Sequence, residues 1–235
     1  MEALILAGGM GTRLRSVVHD VPKPMADIAG RPFLAYLMDY WISQGITSFI
    51  LSVSYKKNKI IDYFGTKYKN ASIAYVEELE PLGTGGALIL ASQTLSDHFV
   101  VLNGDTLFKV NLSKFIRKHL DSKSNWTVAL FKANENDRYG QINIDSIGRI
   151  KNFQSGKSQI GQLSNGGLYI INPKILQESS FKVGTKYSLE EEIIPTLIND
   201  GNHFFGFEEA TEFLDIGVPE DYFKAQEILN KSARQ

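Results

Sequence analysis

Hydrophobic runs alternate with amphipathic stretches in the first half of the chain, and this order constrains the fold more than any other feature. Short apolar runs typical of buried strands occur at 3–6, 49–53 and 99–102. After the first run, apolar residues spaced three and four apart predict a helix over 32–44, with Gly45 following its end. Strands and helices in this order predict an α/β fold with a largely parallel sheet.

The remaining elements are predicted by the same reasoning. Near residue 126 the alternation of strands and helices gives way to successive strands. Helices are predicted at 56–64 and 84–94, and a strand at 72–76. Strands separated by turn signals are then predicted at 127–131, 141–144, 147–153 and 167–171, and further helices at 189–198 and 219–230. We therefore expect one domain over 1–235.

Composition restricts the classes of partner. Lys and Arg total 25 against 26 Asp and Glu, so no bulk electric field favours a nucleic acid or an anionic membrane. The absence of cysteine excludes disulfides and thiol nucleophiles. The first residues lack the cationic start of a signal peptide, and no apolar run approaches the roughly 20 residues of a membrane span. We expect a cytoplasmic protein. The sequence leaves its oligomeric state open, and a homo-oligomer is one of the possible states.

A glycine-rich loop, LAGGMGTRLRSVVHDVPKPM at 6–25, follows the first strand. It lacks the Gly-Lys-Ser/Thr ending of the hydrolase phosphate loop and the third small residue of the dinucleotide fingerprint. Glycines after a strand nevertheless let backbone amides approach an anion closely. Arg13 and Lys23 supply positive charge suited to a polyphosphate, and prolines on both sides of Lys23 restrict its backbone. The loop predicts a phosphorylated ligand.

Two aspartates are candidate metal ligands. Asp105 follows a buried strand, where ligands of α/β proteins bind, and Asp215 lies in an apolar stretch. Mg²⁺ prefers oxygen ligands and usually takes one or two carboxylates together with substrate phosphates. Asp105 could instead complete a turn, and Asp215 could cap a helix or form a salt bridge. The sequence alone does not bring the two carboxylates together.

Other polar segments support more than one interpretation. The glycine-rich turn at 80–87 could approach a flat ring or simply begin a flexible helix. Ser188 is predicted to cap a helix whose first turn carries three acids, one of which could reach a ligand hydroxyl. The four histidines show no zinc-binding spacing, and no nucleophile elbow is present.

Five motifs in order resemble the sugar-1-phosphate nucleotidylyltransferases over nearly the whole chain. These motifs are GGMGTRL, PKPM, LGTGG, NGD and DIGVPEDY. The resemblance implies a Rossmann-like α/β fold with a mixed, mainly parallel sheet and a small β-rich part. Residues 1–125 would mainly bind nucleotide, and 126–235 would mainly bind the sugar phosphate and supply a second metal ligand. A sugar 1-phosphate would attack a nucleoside triphosphate, giving a nucleotide-sugar and pyrophosphate.

The resemblance also implies individual roles. Arg13 would stabilise the departing pyrophosphate, Lys23 would bind the attacking phosphate, and Asp105 and Asp215 would hold Mg²⁺. Nucleotide contacts are implied for Leu6, Gly8, Gly9, Gly11, Thr12, Arg13, Glu80, Pro81 and Gly85, the last three around the base. Sugar-phosphate contacts are implied for Lys23, Tyr139, Gly140, Asn165, Gly166, Gly167 and Glu190. Such transfer depends on positioning and charge, so no catalytic histidine is needed.

Within the family, the residues of these motifs are most similar to those of enzymes that join GTP to a heptose 1-phosphate for polysaccharide synthesis. One departure is the segment Gln154 to Lys157, where many relatives carry Glu-Lys; either Lys157 replaces that contact or the phosphate is held differently. Alternatives are a uridylyl-, thymidylyl- or cytidylyltransferase acting on a hexose 1-phosphate, a glycosyltransferase, and a catalytically silent nucleotide-sugar sensor. The glycosyltransferase lacks support because position 103 is Asn in place of the first acid of Asp-x-Asp.

Overall fold

A computed structural model describes residues 1–9, 11–95 and 97–232, so Met10 of the glycine-rich loop and the last residues of the predicted domain lie outside the described residues. The strands are β1 (Glu2–Leu6), β2 (Asp27–Ile28), β3 (Arg31–Pro32), β4 (Ser48–Val53), β5 (Lys67–Tyr68), β6 (Ala71–Glu77), β7 (Phe99–Asn103), β8 (Thr106–Phe108), β9 (Trp126–Lys132), β10 (Gln141–Ile144), β11 (Ile150–Gln154), β12 (Leu163–Ile171), β13 (Phe204–Glu208) and β14 (Phe213–Asp215). The helices are α1 (Phe33–Ser43), α2 (Lys57–Phe64), α3 (Gly83–Ser92), α4 (Leu112–Asp121), α5 (Lys174–Gln177), α6 (Ile194–Asn199) and α7 (Pro219–Ser232).

Ten strands form one mixed sheet. Eight of them follow the order β11-β10-β12-β7-β1-β4-β6-β5, β9 pairs with β12, and β13 pairs with β9. The central strands β7, β1, β4 and β6 are parallel to one another, whereas β12 is antiparallel to β7 and β9. This arrangement confirms the predicted α/β fold, and one continuous sheet spans both halves of the chain.

Two apolar clusters cover the two faces of the sheet. Successive side chains of a strand point to opposite faces, and in β1 Ala3 and Ile5 belong to one cluster while Leu4 belongs to the other. Trp41 of α1 is fully buried in the first cluster, and Leu88 of α3 is fully buried in the second. In the part of the chain that the structure describes, no helix is long and apolar enough to cross a membrane.

The predicted elements occur with shifted ends. β11 begins three residues later than predicted, because Asp145 accepts the backbone N–H groups of Ile147 and Arg149 and holds that segment in a turn. β12 begins at Leu163, earlier than predicted, and bends at an irregularity between Asn165 and Tyr169. The patterns did not predict α4, β13 or the short pair formed by β8 and β14.

Candidate active site

A cavity of about 770 Å³ opens at the carboxyl ends of β1 and β7. Its size is typical of a small-molecule site. All but two of the predicted site residues line it: Leu6, Gly8, Gly9, Gly11, Thr12, Arg13, Lys23, Pro81, Asp105, Tyr139, Gly140, Asn165, Gly166, Gly167, Glu190 and Asp215. The two that do not are Glu80 and Gly85. The structure thus brings residues from distant parts of the sequence to one crevice, at the edge where ligands bind in open α/β sheets.

A two-stranded ladder brings the two aspartates together. β14 runs antiparallel to β8 with Asp215 opposite Thr106, and the backbone N–H of Ile216 donates to the carbonyl of Asp105 at 3.0 Å. Residues paired across a ladder have neighbouring side chains. The register places Asp215 opposite Thr106, the residue that follows Asp105, and the two aspartates are close enough for the charge of Asp105 to act on Asp215. The spacing along the sequence does not reveal this relation.

Lys23 is the nearest cation to this pair. Its Nζ lies 2.5 Å from Oδ2 of Asp105, and its side chain is only 10% exposed. Burial opposes ionisation of Asp105, but the adjacent Lys23 ammonium outweighs it and holds the pKa of this carboxyl below its ordinary value. The segment around Lys23 is a tight 3-10 turn entered from the extended Pro22, so the two prolines restrict the backbone from which this side chain extends.

Asp215 is in a different electrostatic environment. Burial and the negative charge of Asp105 raise the pKa of Asp215, while Lys23, Arg138 and the backbone N–H of Gly217 act in the opposite direction. Its Oδ1 accepts the N–H of Gly217, and its Oδ2 lies 3.6 Å from Nη2 of Arg138. A further cation beside these two carboxylates would favour the ionised form of both.

The donors at this site suit Mg²⁺, which takes one or two carboxylates and fills the rest of its shell with water or phosphate oxygens. Among the described residues, no cluster of three or more His, Cys, Asp or Glu side chains is placed to hold a metal ion. Two carboxylates that share a cavity with cationic side chains match an ion that completes its shell with substrate phosphates and water. The buried Oδ1 of Asn103, which also lines the cavity, accepts no hydrogen bond from the described residues.

The glycine-rich loop packs closely against its neighbours. Gly11 has a φ of 58°, and a methyl group added there would lie 3.0 Å from Cβ of Lys23. A methyl group on Gly8 would lie 2.3 Å from Oε1 of Glu78. Glycine is therefore required at both positions, by backbone conformation in one case and by close contact in the other. Arg13 is exposed at the rim of the cavity.

On the nucleotide side, the buried acid is Glu78, whereas the predicted Glu80 is exposed. Glu78 lines the cavity and is 7% exposed; its carboxylate accepts the hydroxyl of Ser52 at 3.1 Å and the N–H of Leu82 at 2.9 Å. Gly85 lies behind the cavity wall, where its N–H donates to the carbonyl of Tyr187. The pattern at 80–87 located the segment correctly but did not indicate which acid turns inward.

Glu190 on the opposite wall lies in a π-helical turn, Leu189–Ile193, that leads into α6. Ser188 caps this turn by accepting the N–H of Glu191, as predicted, and Pro195 provides no N–H for a regular α-helical bond. Glu190 accepts a hydrogen bond from the hydroxyl of Thr84 at 3.3 Å. Burial raises the pKa of the Glu190 carboxyl.

The strand β12 bends where it reaches the cavity. Gly167 has a φ of 64°, and a methyl group on Gly166 would lie 2.5 Å from the ring of Phe108. Asn165 donates to the hydroxyl of Tyr169 and accepts the N–H of Gly167. Irregularities of this kind often redirect side chains at sites. Here the bend exposes Asn165 and Gly166 to the ligand space.

Arg138 lines the same wall, and the sequence did not indicate a role for it. Its loop is held by Ser158, whose hydroxyl accepts the N–H groups of Arg138 and Tyr139. The guanidinium is 16% exposed and pairs with Asp221 in the first turn of α7. Lys157, in contrast, is exposed and does not line the cavity, although Ser155 and Gly156 do.

Comparison with known proteins agrees with this geometry. Residues 2–232 match the model of the family described as Nucleotidyl transferase. The chain is 44% identical to D-glycero-alpha-D-manno-heptose 1-phosphate guanylyltransferase of Aneurinibacillus thermoaerophilus, covering 97% of this chain and 98% of the relative. It is 40% identical to the enzyme of the same name from Campylobacter jejuni, with coverages of 95% and 97%. The crystal structure of HddC from Yersinia pseudotuberculosis complexed with GMP-PN superposes with a TM-score of 0.85 at 38% identity, covering 97% of this chain and 99% of that one.

Proposed function

This chain belongs to the nucleotidyl transferase family, and from that premise we propose that it transfers the guanylyl group of GTP to D-glycero-α-D-manno-heptose 1-phosphate. The products are GDP-heptose and pyrophosphate. The observation that carries the proposal is the β8–β14 ladder, which brings Asp215 to the cavity that Asp105 and its ion-pair partner Lys23 also line. The names of the relatives and the nucleotide in the HddC complex support the choice of substrates.

The reaction needs charge neutralisation more than proton transfer. A phosphate oxygen of the sugar phosphate attacks the α-phosphorus, and the bond from this phosphorus to the bridging oxygen of pyrophosphate breaks. Lys23 orients the attacking anion, and Arg13 stabilises the charge on the leaving pyrophosphate. Backbone amides of the glycine-rich loop hold the triphosphate. Asp105 and Asp215 would hold Mg²⁺, which neutralises charge on the reacting phosphates when bound.

Selection of guanine is assigned to Glu78. Guanine presents its N1–H and N2–H groups as donors along one edge, and a carboxylate offers about four acceptor positions on two oxygens. Ser52 and Leu82 use one position each. The remaining positions suit the guanine edge, and Gly8 leaves the space that this carboxylate occupies. Glu78 thus replaces Glu80 as the residue proposed to read the base.

The sugar phosphate is proposed to bind between β12 and the π-helical turn. Glu190, Asn165 and the backbone of Gly140 present hydrogen-bonding groups there. Residues 1–125 would then bind mainly nucleotide, and 126–235 mainly the sugar phosphate. Since both substrates are intracellular metabolites, this function requires the cytoplasm.

A substrate panel tests the proposal. GTP, UTP, dTTP and CTP are each combined with heptose 1-phosphate, mannose 1-phosphate and glucose 1-phosphate, and pyrophosphate release is measured. We expect the GTP and heptose pair to react fastest. Faster reaction of UTP with glucose 1-phosphate would overturn the choice of substrates, and no pyrophosphate from any pair would favour a silent sensor.

The metal assignment has its own test in Asp105→Ala. The variant is expected to retain the fold and lose turnover, because one of the two proposed carboxylate ligands of the metal is removed. Circular dichroism checks the fold, and Asp62→Ala on the exposed face of α2 is the matched control. Full activity of Asp105→Ala would exclude Asp105 as a metal ligand.

A further inference from the structure

The guanidinium of Arg138 lies between two acids of different function. Nη2 of Arg138 is 3.6 Å from Oδ2 of Asp215, and the same nitrogen makes a much closer ion pair with Oδ2 of Asp221. A third acid, Glu135, accepts from Nη1 at 3.2 Å but is exposed. Arg138 and Asp221 are both 16% exposed. The proposed mechanism uses Asp215 and leaves Asp221 without a task.

The placement of these groups creates a competition for Asp215. A cation held by Asp105 and Asp215 requires the Asp215 carboxylate, but a guanidinium beside that carboxylate can form a charge-assisted pair with it. Such a pair would use the oxygens that the metal needs. The structure instead directs the guanidinium to Asp221, which leaves its contact with Asp215 longer than a hydrogen bond.

The backbone around Arg138 prevents it from moving out of the site. Ser158 fixes the N–H groups of Arg138 and Tyr139, and the guanidinium lies 5.2 Å from the centre of the Tyr139 ring. The Tyr139 ring in turn packs edge-on against Phe131 and Phe213. With this backbone fixed, the guanidinium is within reach of Asp215, and its position depends on its ion pair with Asp221.

Asp221 is held independently of the metal. It lies in the first turn of α7, where the helix dipole favours a negative charge. The same helix is anchored by the hydroxyl of Tyr222, which donates to the carbonyl of Asp27 at 2.7 Å. A fixed acid at this point can hold the guanidinium in one direction.

We infer that Asp221 is a positioning residue that acts through Arg138: it draws the guanidinium away from Asp215 and so keeps that carboxylate available to the metal. The inference rests on the proposed function, because it takes Asp105 and Asp215 as the metal ligands. It assigns a task to Asp221 that does not involve contact with substrate. It also explains why the guanidinium of Arg138 does not occupy the carboxylate of Asp215.

The test measures metal binding without substrates. Mn²⁺, which accepts the same oxygen ligands, is titrated into the nucleotide-free protein, and free Mn²⁺ is followed by electron paramagnetic resonance. Asp221→Asn releases Arg138 towards Asp215 and is expected to weaken Mn²⁺ binding at least about tenfold, the size of one charge-assisted hydrogen bond. Arg138→Gln removes the competitor and is expected to bind Mn²⁺ at least as tightly as the native protein.

The double variant Arg138→Gln with Asp221→Asn separates competition from loss of structure. If Asp221 acts through Arg138, the double variant recovers the affinity of Arg138→Gln. Binding as weak as that of Asp221→Asn alone, or native binding by Asp221→Asn, would overturn the inference. If Asp221→Asn does not fold, weaker Mn²⁺ binding by Arg138→Gln would overturn it equally.

Asp105→Ala distinguishes failure of the inference from failure of the proposed function. If Asp105→Ala binds Mn²⁺ like the native protein, the metal site itself is misassigned. If Asp105→Ala loses Mn²⁺ but Asp221→Asn retains it, only the role of Asp221 is wrong. The substrate panel remains a separate test of the reaction.

Discussion

The substitution Glu78→Gln replaces one carboxylate oxygen by an amide nitrogen and so tests whether Glu78 recognises guanine. The carboxylate accepts from the backbone N–H of Leu82 through one oxygen and from the hydroxyl of Ser52 through the other. In Glu78→Gln the amide oxygen must stay with Leu82, because a backbone N–H cannot reverse its role. The amide nitrogen then faces Ser52, whose hydroxyl can rotate to accept. We therefore expect the fold to tolerate the change.

Recognition of guanine is expected to suffer. The new NH₂ group faces the N2 donors of guanine, so one hydrogen bond to a charged acceptor is lost and two donors oppose each other. A loss of about 3 kcal/mol, at the upper end for a hydrogen bond to a charged group, corresponds to a drop of roughly 150-fold in kcat/KM for GTP. Xanthosine triphosphate carries a carbonyl in place of the N2 amine and should react better with Glu78→Gln than with the native enzyme.

The assay is pyrophosphate release with each triphosphate at saturating sugar phosphate. Glu80→Gln is the matched control, because Glu80 is exposed and does not line the cavity. It is expected to change kcat/KM less than twofold. The reasoning is refuted if Glu78→Gln retains GTP activity within fivefold, or if Glu80→Gln is the variant that loses guanine.

Three further predictions concern charge, packing and pH. Lys23→Met is expected to lower kcat by a factor of about 10²–10³, because one preorganised charge at the attacking phosphate is lost. The affinity for GTP, measured by calorimetry, is expected to change little. A kcat within threefold of the native value would contradict this role. Gly166→Ala is expected to reduce the free energy of unfolding by about 1–3 kcal/mol, since its methyl would lie 2.5 Å from the Phe108 ring, whereas Gly9→Ala, which meets nothing within 4 Å, is the control in urea titrations. Burial, with a smaller contribution from His98, lowers the pKa of His119 from 6.5 to about 4. As the pH falls, the unfolded chain therefore binds a proton at this residue before the folded chain does. The free energy of unfolding should consequently fall by up to about 3 kcal/mol between pH 6.5 and pH 4. His119→Gln should flatten this dependence in urea titrations at several pH values, and an unchanged slope would rule out His119 as its source.

Local patterns predicted the elements that carry their own periodicity. Helix α1 occurs within one residue of its predicted ends, because its apolar spacing and its bordering proline and glycine all agree. The parallel strands β4 and β7 were also predicted, because strands buried on both faces appear in the sequence as mainly apolar runs. In contrast, β14 is three residues long and depends on pairing with β8, so no local signal defines it.

The residues of the candidate site fall into the same two groups: those that a local sequence pattern predicts, and those that only contacts in the folded chain identify. The glycine-rich loop and Lys23 were identified because their conformational demands appear in the sequence as glycines and prolines. The inward acid was misplaced by two residues, since the choice between Glu78 and Glu80 depends on hydrogen bonds to Ser52 and Leu82. Arg138 was missed because its importance arises from Asp215 and Asp221, more than seventy residues away.

The ladder between β8 and β14 also has a consequence for biogenesis. Pairing Phe108 with Phe213 closes a loop of roughly a hundred residues, and such long-range contacts form late in folding. A ribosome synthesises the glycine-rich loop, Lys23 and Asp105 well before it reaches Asp215. The two carboxylates come together only after β14 has been synthesised and has paired with β8.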